Sequence, residues 1–186
     1  MTICNICRKQ EVKITWVFED ERKYLCNDCY NAILSEQLGV ALENSIESMK
    51  VQDSNGGTRT FQIEQRLDPI GIIITAKEQN DYGYVFAVHG ELDCDQDALM
   101  QRLKDKVKRG VATSYMKTTT YPDGQTSHSL SHHKLLGRVE YSDNHDLPVI
   151  MVDGKPYTWE ELGRMMMTYE GFQLEWKIHE ITDDVD

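Results

Sequence analysis

No stretch of this 186-residue chain stays apolar for more than a few residues; Ile72-Ile73-Ile74 is typical. A membrane-crossing helix needs about 20, so none is expected. The amino terminus passes from Met1 to Cys4 without a basic or apolar leader, so no secretory signal is expected and a cytoplasmic, reducing location is. Positive charge is scarce: 20 Lys and Arg stand against 31 Asp and Glu, for a net charge of -11. That balance excludes a general nucleic-acid coat protein. Catalytic signatures are missing as well: the chain has no G-x-S-x-G, Walker loop, H-E-x-x-H or dinucleotide fingerprint. Cysteine is scarce past residue 29, where Cys94 stands alone. The remaining composition, 40% hydrophobic and 27% charged, is that of a globular protein and excludes a disordered one.

The other four cysteines crowd into CNICRKQEVKITWVFEDERKYLCNDC, residues 4–29, as two C-x-x-C pairs, Cys4 with Cys7 and Cys26 with Cys29. In a reducing compartment paired cysteines bind metal more often than they form disulfides. The spacing fits the four-cysteine zinc pattern. Zinc prefers a tetrahedron of sulfurs at about 2.3 Å, and two C-x-x-C turns fill it. A filled sphere leaves no position for water or substrate, so the expected role is structural. A four-cysteine site also accepts iron. Redox C-x-x-C chemistry would need a βαβ setting, and none is evident. Cys94 reads as a lone thiol.

Between the pairs, Val12 to Phe18 alternates like a strand, Glu19-Asp20-Glu21-Arg22 reads as a turn, and Lys23 to Leu25 returns. From Cys26 a helical period takes over through Tyr30, Ile33, Leu34, Leu38, Ala41 and Leu42. Knuckle, hairpin and helix over residues 1–48 resemble the treble-clef class of zinc finger. In that class similar modules bind DNA in GATA-type factors and proteins in bacterial chaperone ATPases. The GATA-type readers carry a basic tail after the helix; here Glu43, Glu47 and Asp53 stand against Lys50. The helix is expected from about Asn27 to Met49. That is longer than its module can cover, so it would pack on a second domain or on another subunit of a homodimer.

The expected organisation is a zinc-binding module over 1–49, a linker over 50–60 built on Asn55-Gly56-Gly57, an α+β domain over 61–182 and an acidic tail over 183–186 that frays. Phe61 to Leu67, Ile72 to Lys77 and Tyr84 to His89 predict an antiparallel meander. A helix follows, capped by Asp93 or Asp95, striped by Leu99, Leu103 and Val107, and ended by Gly110. Residues 111–134 read as a hairpin or a mobile loop. Leu135 to Tyr141 and Val149 to Val152 predict strands. Thr158 and Glu161 form a capping box for a helix to about Tyr169, and Phe172 to Ile178 alternates as a final strand. The sum is an α+β fold with a mainly antiparallel sheet and helices on one face. Residues 148–178, PVIMVDGKPYTWEELGRMMMTYEGFQLEWKI, resemble the C-terminal segment of bacterial proteins of unknown function that also carry a leading four-cysteine module. That resemblance implies bacterial or phage origin.

Three functional readings follow. The first is a zinc-binding, non-enzymatic interaction or adaptor protein with a protein partner. The second is nucleic-acid or nucleotide binding through the basic segment 102–139, where Lys104, Lys108, Arg109, Lys117, Lys134 and Arg138 meet only Asp105 and Asp123 as acids. The same cations could instead pair with acids elsewhere in the chain, or receive an acidic protein. The third is a metal-dependent hydrolase using His128, His132 and His133 of SHSLSHH, which otherwise read as solvated loop histidines. His89, Glu91, Asp93, Asp95 and Asp97 are a further carboxylate group, or simply a strand end followed by helix N-terminal acids.

Overall fold

The computed structural model of the protein describes residues 2–18, 21–43, 47–80, 82–143 and 146–185. Glu19, Asp20, Asp81, Asn144 and His145 of the predicted turns lie outside the described residues, as does Asp186 of the tail. The fold is α+β, with antiparallel sheets and, among the described residues, three α-helices. None of these helices is long and apolar enough to cross a membrane.

The chain opens on a knuckle. Cys4 N–H donates to the Gln10 carbonyl at 2.9 Å and Arg8 N–H to the Cys4 carbonyl at 3.1 Å. β1 (Ile14–Phe18) and β2 (Glu21–Leu25) pair antiparallel, with Ile14 opposite Leu25. Asn5 fastens the knuckle to β2 twice. Its backbone N–H donates to the Tyr24 carbonyl and its side-chain oxygen accepts from Tyr24 N–H, both at 2.8 Å. α1 (Asn27–Leu38) follows. The helix expected through Met49 stops at Leu38, because Gly39 takes a left-handed φ of 67° and closes it.

β3 (Ser48–Gln52), β4 (Thr58–Asp68), β5 (Gly71–Glu78) and β6 (Val85–Gly90) form one antiparallel sheet in that order. The stretch 50–60, expected as a linker, is therefore the β3–β4 hairpin, with Gln52 opposite Thr58. Asp53 builds its turn by accepting from Asn55 and Gly57 N–H, both at 2.9 Å. An Asx turn, not flexibility, is what the Asn-Gly-Gly run supplies here.

α2 (Gln96–Ala112) lies across one face of this sheet. Asp95 caps it, accepting from Ala98 N–H at 2.9 Å. Leu99, Leu103, Val107 and Val111 fall on one stripe and bury against Phe61, Leu67, Ile72, Ile74 and Val88. Gly110, expected to end the helix, lies inside it. An added Cβ would come within 2.2 Å of the Phe86 ring, so glycine lets the helix settle onto that ring.

The segment 111–134 holds a hairpin of β7 (Met116–Thr120) and β8 (Thr126–Leu130). β9 (Arg138–Glu140), β10 (Val149–Val152) and β11 (Lys155–Tyr157) form a separate sheet in the order β11-β10-β9. The β10–β11 turn puts Asp153 and Gly154 at φ of 51° and 73°, both left-handed. α3 (Trp159–Met166) starts on the predicted capping box, with both arms formed, and a short 3₁₀ turn carries it to Tyr169. Met116, Ile150, Val152, Tyr157, Leu162 and Met165 make a second core.

Two C-terminal expectations are corrected. Phe172 to Ile178 joins no sheet, since no strand among the described residues lies beside it. The acidic tail is fastened instead of frayed. Lys106 Nζ donates to the carbonyls of Ala87 (3.0 Å), Ile181 (3.0 Å) and Asp183 (2.5 Å), and Arg109 reaches the Asp184 carboxylate at 3.3 Å.

Candidate metal centre

Two local devices aim the four sulfurs. The knuckle turns Cys4 and Cys7 inward, while Cys26 is the N-cap of α1 and Cys29 lies in its first turn. Cys29 N–H points at the Cys26 sulfur at 3.5 Å, where the helix N-terminus favours negative charge. All four Sγ atoms lie within 4.8 Å of one another. Cys7 and Cys26 Sγ are 3.8 Å apart. A tetrahedron with Zn–S bonds of about 2.3 Å has edges of about 3.8 Å, so the cage has the right size for that ion. It is too wide for disulfides, whose S–S length is about 2.05 Å. The cysteines are positioned to bind a metal ion, and the geometry is consistent with zinc.

Cys4 and Cys26 are buried; Cys7 and Cys29 are half-buried. Burial opposes ionisation of Cys4, yet backbone N–H groups of Cys26, Cys7 and Ile6 outweigh it and hold the thiol down at about 6. N–H groups of Lys9 and Gln10 likewise lower Cys7. Burial raises Cys26, and burial together with the neighbouring thiols pushes Cys29 up to about 12. Four thiolates therefore do not coexist here unaided. A dication held by the four sulfurs would supply the missing positive charge and displace the protons.

The module has little else to hold it. Its core consists of Cys4, Leu25 and Cys26, bordered by Cys7, Trp16, Cys29, Tyr30 and Ile33. Gln10 Nε2 donates to the Asp28 carboxylate at 2.6 Å and braces the knuckle against the helix.

The helix that carries Cys26 and Cys29 also docks on the sheet. β3 pairs β4 as far as Gln62, with Ile63 N–H reaching the Glu47 carbonyl at 3.0 Å, and among the described residues no strand pairs the same edge of β4 beyond it. α1 covers that edge with two amides. Asn27 and Asn31 Nδ2 both donate to the Gln65 carbonyl, at 2.6 and 2.8 Å, and Asn31 Oδ1 accepts from Leu67 N–H at 2.9 Å. Tyr30, Leu34 and Leu38 pack into the core beneath α2. The apolar face of the helix thus meets the sheet of its own chain. Asn27 and Asn31 were not singled out from the sequence. Their signal is an i, i+4 pair on the helix face beside the cysteines, but its target lies 34 to 38 residues further along the chain.

The other candidates are dispersed. Among the described residues, the four cysteines alone bring three or more metal-ligating groups together. His128 lies on β8, bonded through Nδ1 to Thr118 Oγ1 at 3.0 Å with its ring edge-on to Tyr157. His132 is exposed in the following turn, and His133 packs edge-on against Tyr169. The helix that would put His128 and His132 on one face is absent. Lys104, Lys108 and Arg109 lie on α2, Lys117 on β7, Arg138 on β9 and Lys134 in the loop before it. Lys108 pairs with Asp105 at 3.8 Å, Arg109 with Asp184, and Arg138 with Glu140 at 2.8 Å. His89 lies next to the end of β6, and among the acids after it Asp95 serves as the cap of α2.

A buried ionic group also went unread in the sequence. Arg59 binds Asp53 and Glu78, each at 2.9 Å, and lies over the Tyr84 ring at 5.0 Å. Nearby Asp153 accepts from Tyr115 N–H, Met116 N–H and the Ser114 hydroxyl. The Asp153 bonds tie the β10–β11 turn to the link between α2 and β7, and Gly154 of the same turn lies against Tyr84 and Arg59. Their role is architectural.

Three family models match the chain, each described as a domain of unknown function: DUF7685 over residues 3–41, DUF7686 over 43–112 and DUF7713 over 115–183. The matches meet shortly after α1 and just after α2. No curated protein and no solved structure matches the chain.

Proposed function

We propose that the chain is a zinc-binding interaction or adaptor protein of bacterial or phage type, working in the cytoplasm, with one structural zinc on Cys4, Cys7, Cys26 and Cys29. The closed four-sulfur cage carries this reading: it offers a metal ion four ligands and leaves no position for a reactant. Three units, meeting near residues 42 and 113, serve as scaffold and surface. Support for an interaction role comes from the last unit, where Val139, Tyr141, Leu147 and Met167 are all more than half exposed. The basic residues support nucleic-acid binding less well, because three of the six already have carboxylate partners within the chain.

Native mass spectrometry of the purified full chain tests the first half, with one zinc per chain expected. A second metal, or a ligand water on the first, overturns it. Gel retardation at two salt concentrations tests the second half. A salt-sensitive shift weakened by Lys108→Glu with Arg109→Glu would move the reading to nucleic acid. No shift, with a protein partner retained after nuclease treatment, upholds it.

A further inference from the structure

Residues 172–180 are built like a strand and lie in no sheet. They run without turn or bend. Phe172, Leu174, Trp176 and Ile178 alternate with Gln173, Glu175, Lys177 and His179, so a period of two puts the four apolar side chains on one face. Those four are 72%, 63%, 59% and 94% exposed. Among the described residues, the backbone of 173–179 has no hydrogen-bond partner. Both ends are fixed. Phe172 N–H donates to the Tyr169 carbonyl at 2.9 Å, and Lys106 grips the carbonyls of Ile181 and Asp183. The strap between them presents a free pairing edge and an apolar row to solvent.

Its own sequence says what fits. Laid antiparallel against a second copy about a two-fold axis at Trp176, Trp176 meets Trp176 and Leu174 meets Ile178. In the same register Glu175 meets Lys177 and Gln173 meets His179, and symmetry makes each of these pairs twice. A slip of one residue sets apolar against polar side chains. A slip of two sets Glu175 against Glu175 in one direction and Lys177 against Lys177 in the other. The Trp176-centred register therefore joins opposite charges and apolar pairs together, where its neighbours oppose like charges or mismatch the faces. Glu175 and Lys177 share the polar face already, 3.2 Å apart within one chain.

A bare two-stranded ribbon is marginal in water and needs cover for its apolar face. Trp176 leans on Trp159 at the start of α3, with ring centroids 6.0 Å apart. Beside Trp159 lies a groove of about 290 Å³ lined by Leu147, Pro148 and Val149. We propose that the chain forms a two-fold dimer by antiparallel pairing of residues 173–179 with the same segment of a second copy, the ribbon lying over the start of α3. This goes beyond the adaptor reading and holds whichever metal the cage takes.

Sedimentation of the full chain, from micromolar to submillimolar concentration, tests it. Wild type is expected to show a monomer–dimer equilibrium. Glu175→Lys alone and Lys177→Glu alone each place like charges opposite one another twice, and each should weaken the dimer about tenfold or more. The double variant should restore it. An equimolar mixture of the two single variants should associate as well as wild type, because each then supplies the charge the other lacks. All four positions of charge are exposed, so unchanged circular dichroism and metal content show that folding is intact. A wild type that stays monomeric throughout, or a dimer indifferent to both single reversals, overturns the proposal; the first outcome leaves the strap for a strand of another protein.

Discussion

The cysteine module and the sheet beside it are held by opposite means. Among the described residues the module buries Cys4, Leu25 and Cys26, two of them members of the four-cysteine cluster. The sheet and α2 bury twelve residues in one cluster, with Phe61, Leu67, Ile72, Ile74, Leu103 and Val107 wholly enclosed. A cluster that large can outweigh the entropy of ordering its chain; three residues cannot. On the proposed metal reading, four coordinate bonds would stand in for the missing apolar area. Yet Leu34, from the cysteine module's helix, belongs to the larger cluster, and Tyr30 borders both. The difference teaches that α1 is shared property: its first turn serves the cage and the rest of it serves the sheet.

Removing the metal breaks this contrast hardest. Cys26→Ser, or chelation of the wild type, should unfold residues 3–25 while the sheet persists, since apparent zinc-binding energies in finger peptides are on the order of 10 kcal/mol. Amide hydrogen exchange should show protection lost from β1 and β2 and kept in β4 and β5. Equal loss in all four strands would mean that the cage supports the entire fold. Leu103→Ala attacks the other side. The residue is fully buried, so denaturant unfolding should show a loss of about 2–5 kcal/mol with metal stoichiometry unchanged. Asn31→Ala tests the seam. It strips Leu67 N–H of its acceptor and should cost about 1–3 kcal/mol. Combined with chelation it should add almost nothing, because the helix start it depends on is already loosened.

The smallest effect lies in the last unit, which among the described residues has neither a metal-ligating cluster nor a large core. Thr158→Ala removes the cap of α3 and should cost about 1 kcal/mol. The Thr158 backbone N–H, helped by its hydroxyl, holds the Glu161 carboxyl below its usual range. The folded form thus has the lower pKa. Its contribution is complete above the ordinary carboxylate value of about 4.3 and fades as pH falls through the lowered one. Thermal unfolding of wild type and variant at neutral and at strongly acidic pH should show their difference shrinking in acid.

Local chemistry was legible in the sequence; long-range partnership was not. The four-cysteine cluster, the strands from Phe61 to His89 and the Thr158 capping box are each written in a few neighbouring residues, and periodicity or spacing reveals them. β3 was hidden because Met49 and Val51 continue a plausible helical series, and Gly39, which ends the helix, precedes them by only a short stretch. Gly110 resembles a helix stop until Phe86, from another strand, is set beside it. Alternation from Phe172 to Ile178 specifies a strand-forming segment but says nothing of whether its own chain holds a partner for it. Arg59 with Asp53 and Glu78, and Asn31 with Leu67, are likewise pairings between distant segments that no local pattern announces.

The amides of Asn27 and Asn31 have a consequence in metal-poor conditions. They rest on the same two helical turns as Cys26 and Cys29, so a chain without its ion loosens its grip on the edge of β4 beyond Gln62. The carbonyl of Gln65 and the N–H of Leu67 are then bare, and a bare strand edge seeds sheet-to-sheet aggregation. Starvation for metal would show first as insolubility of the protein, before any loss of its middle core.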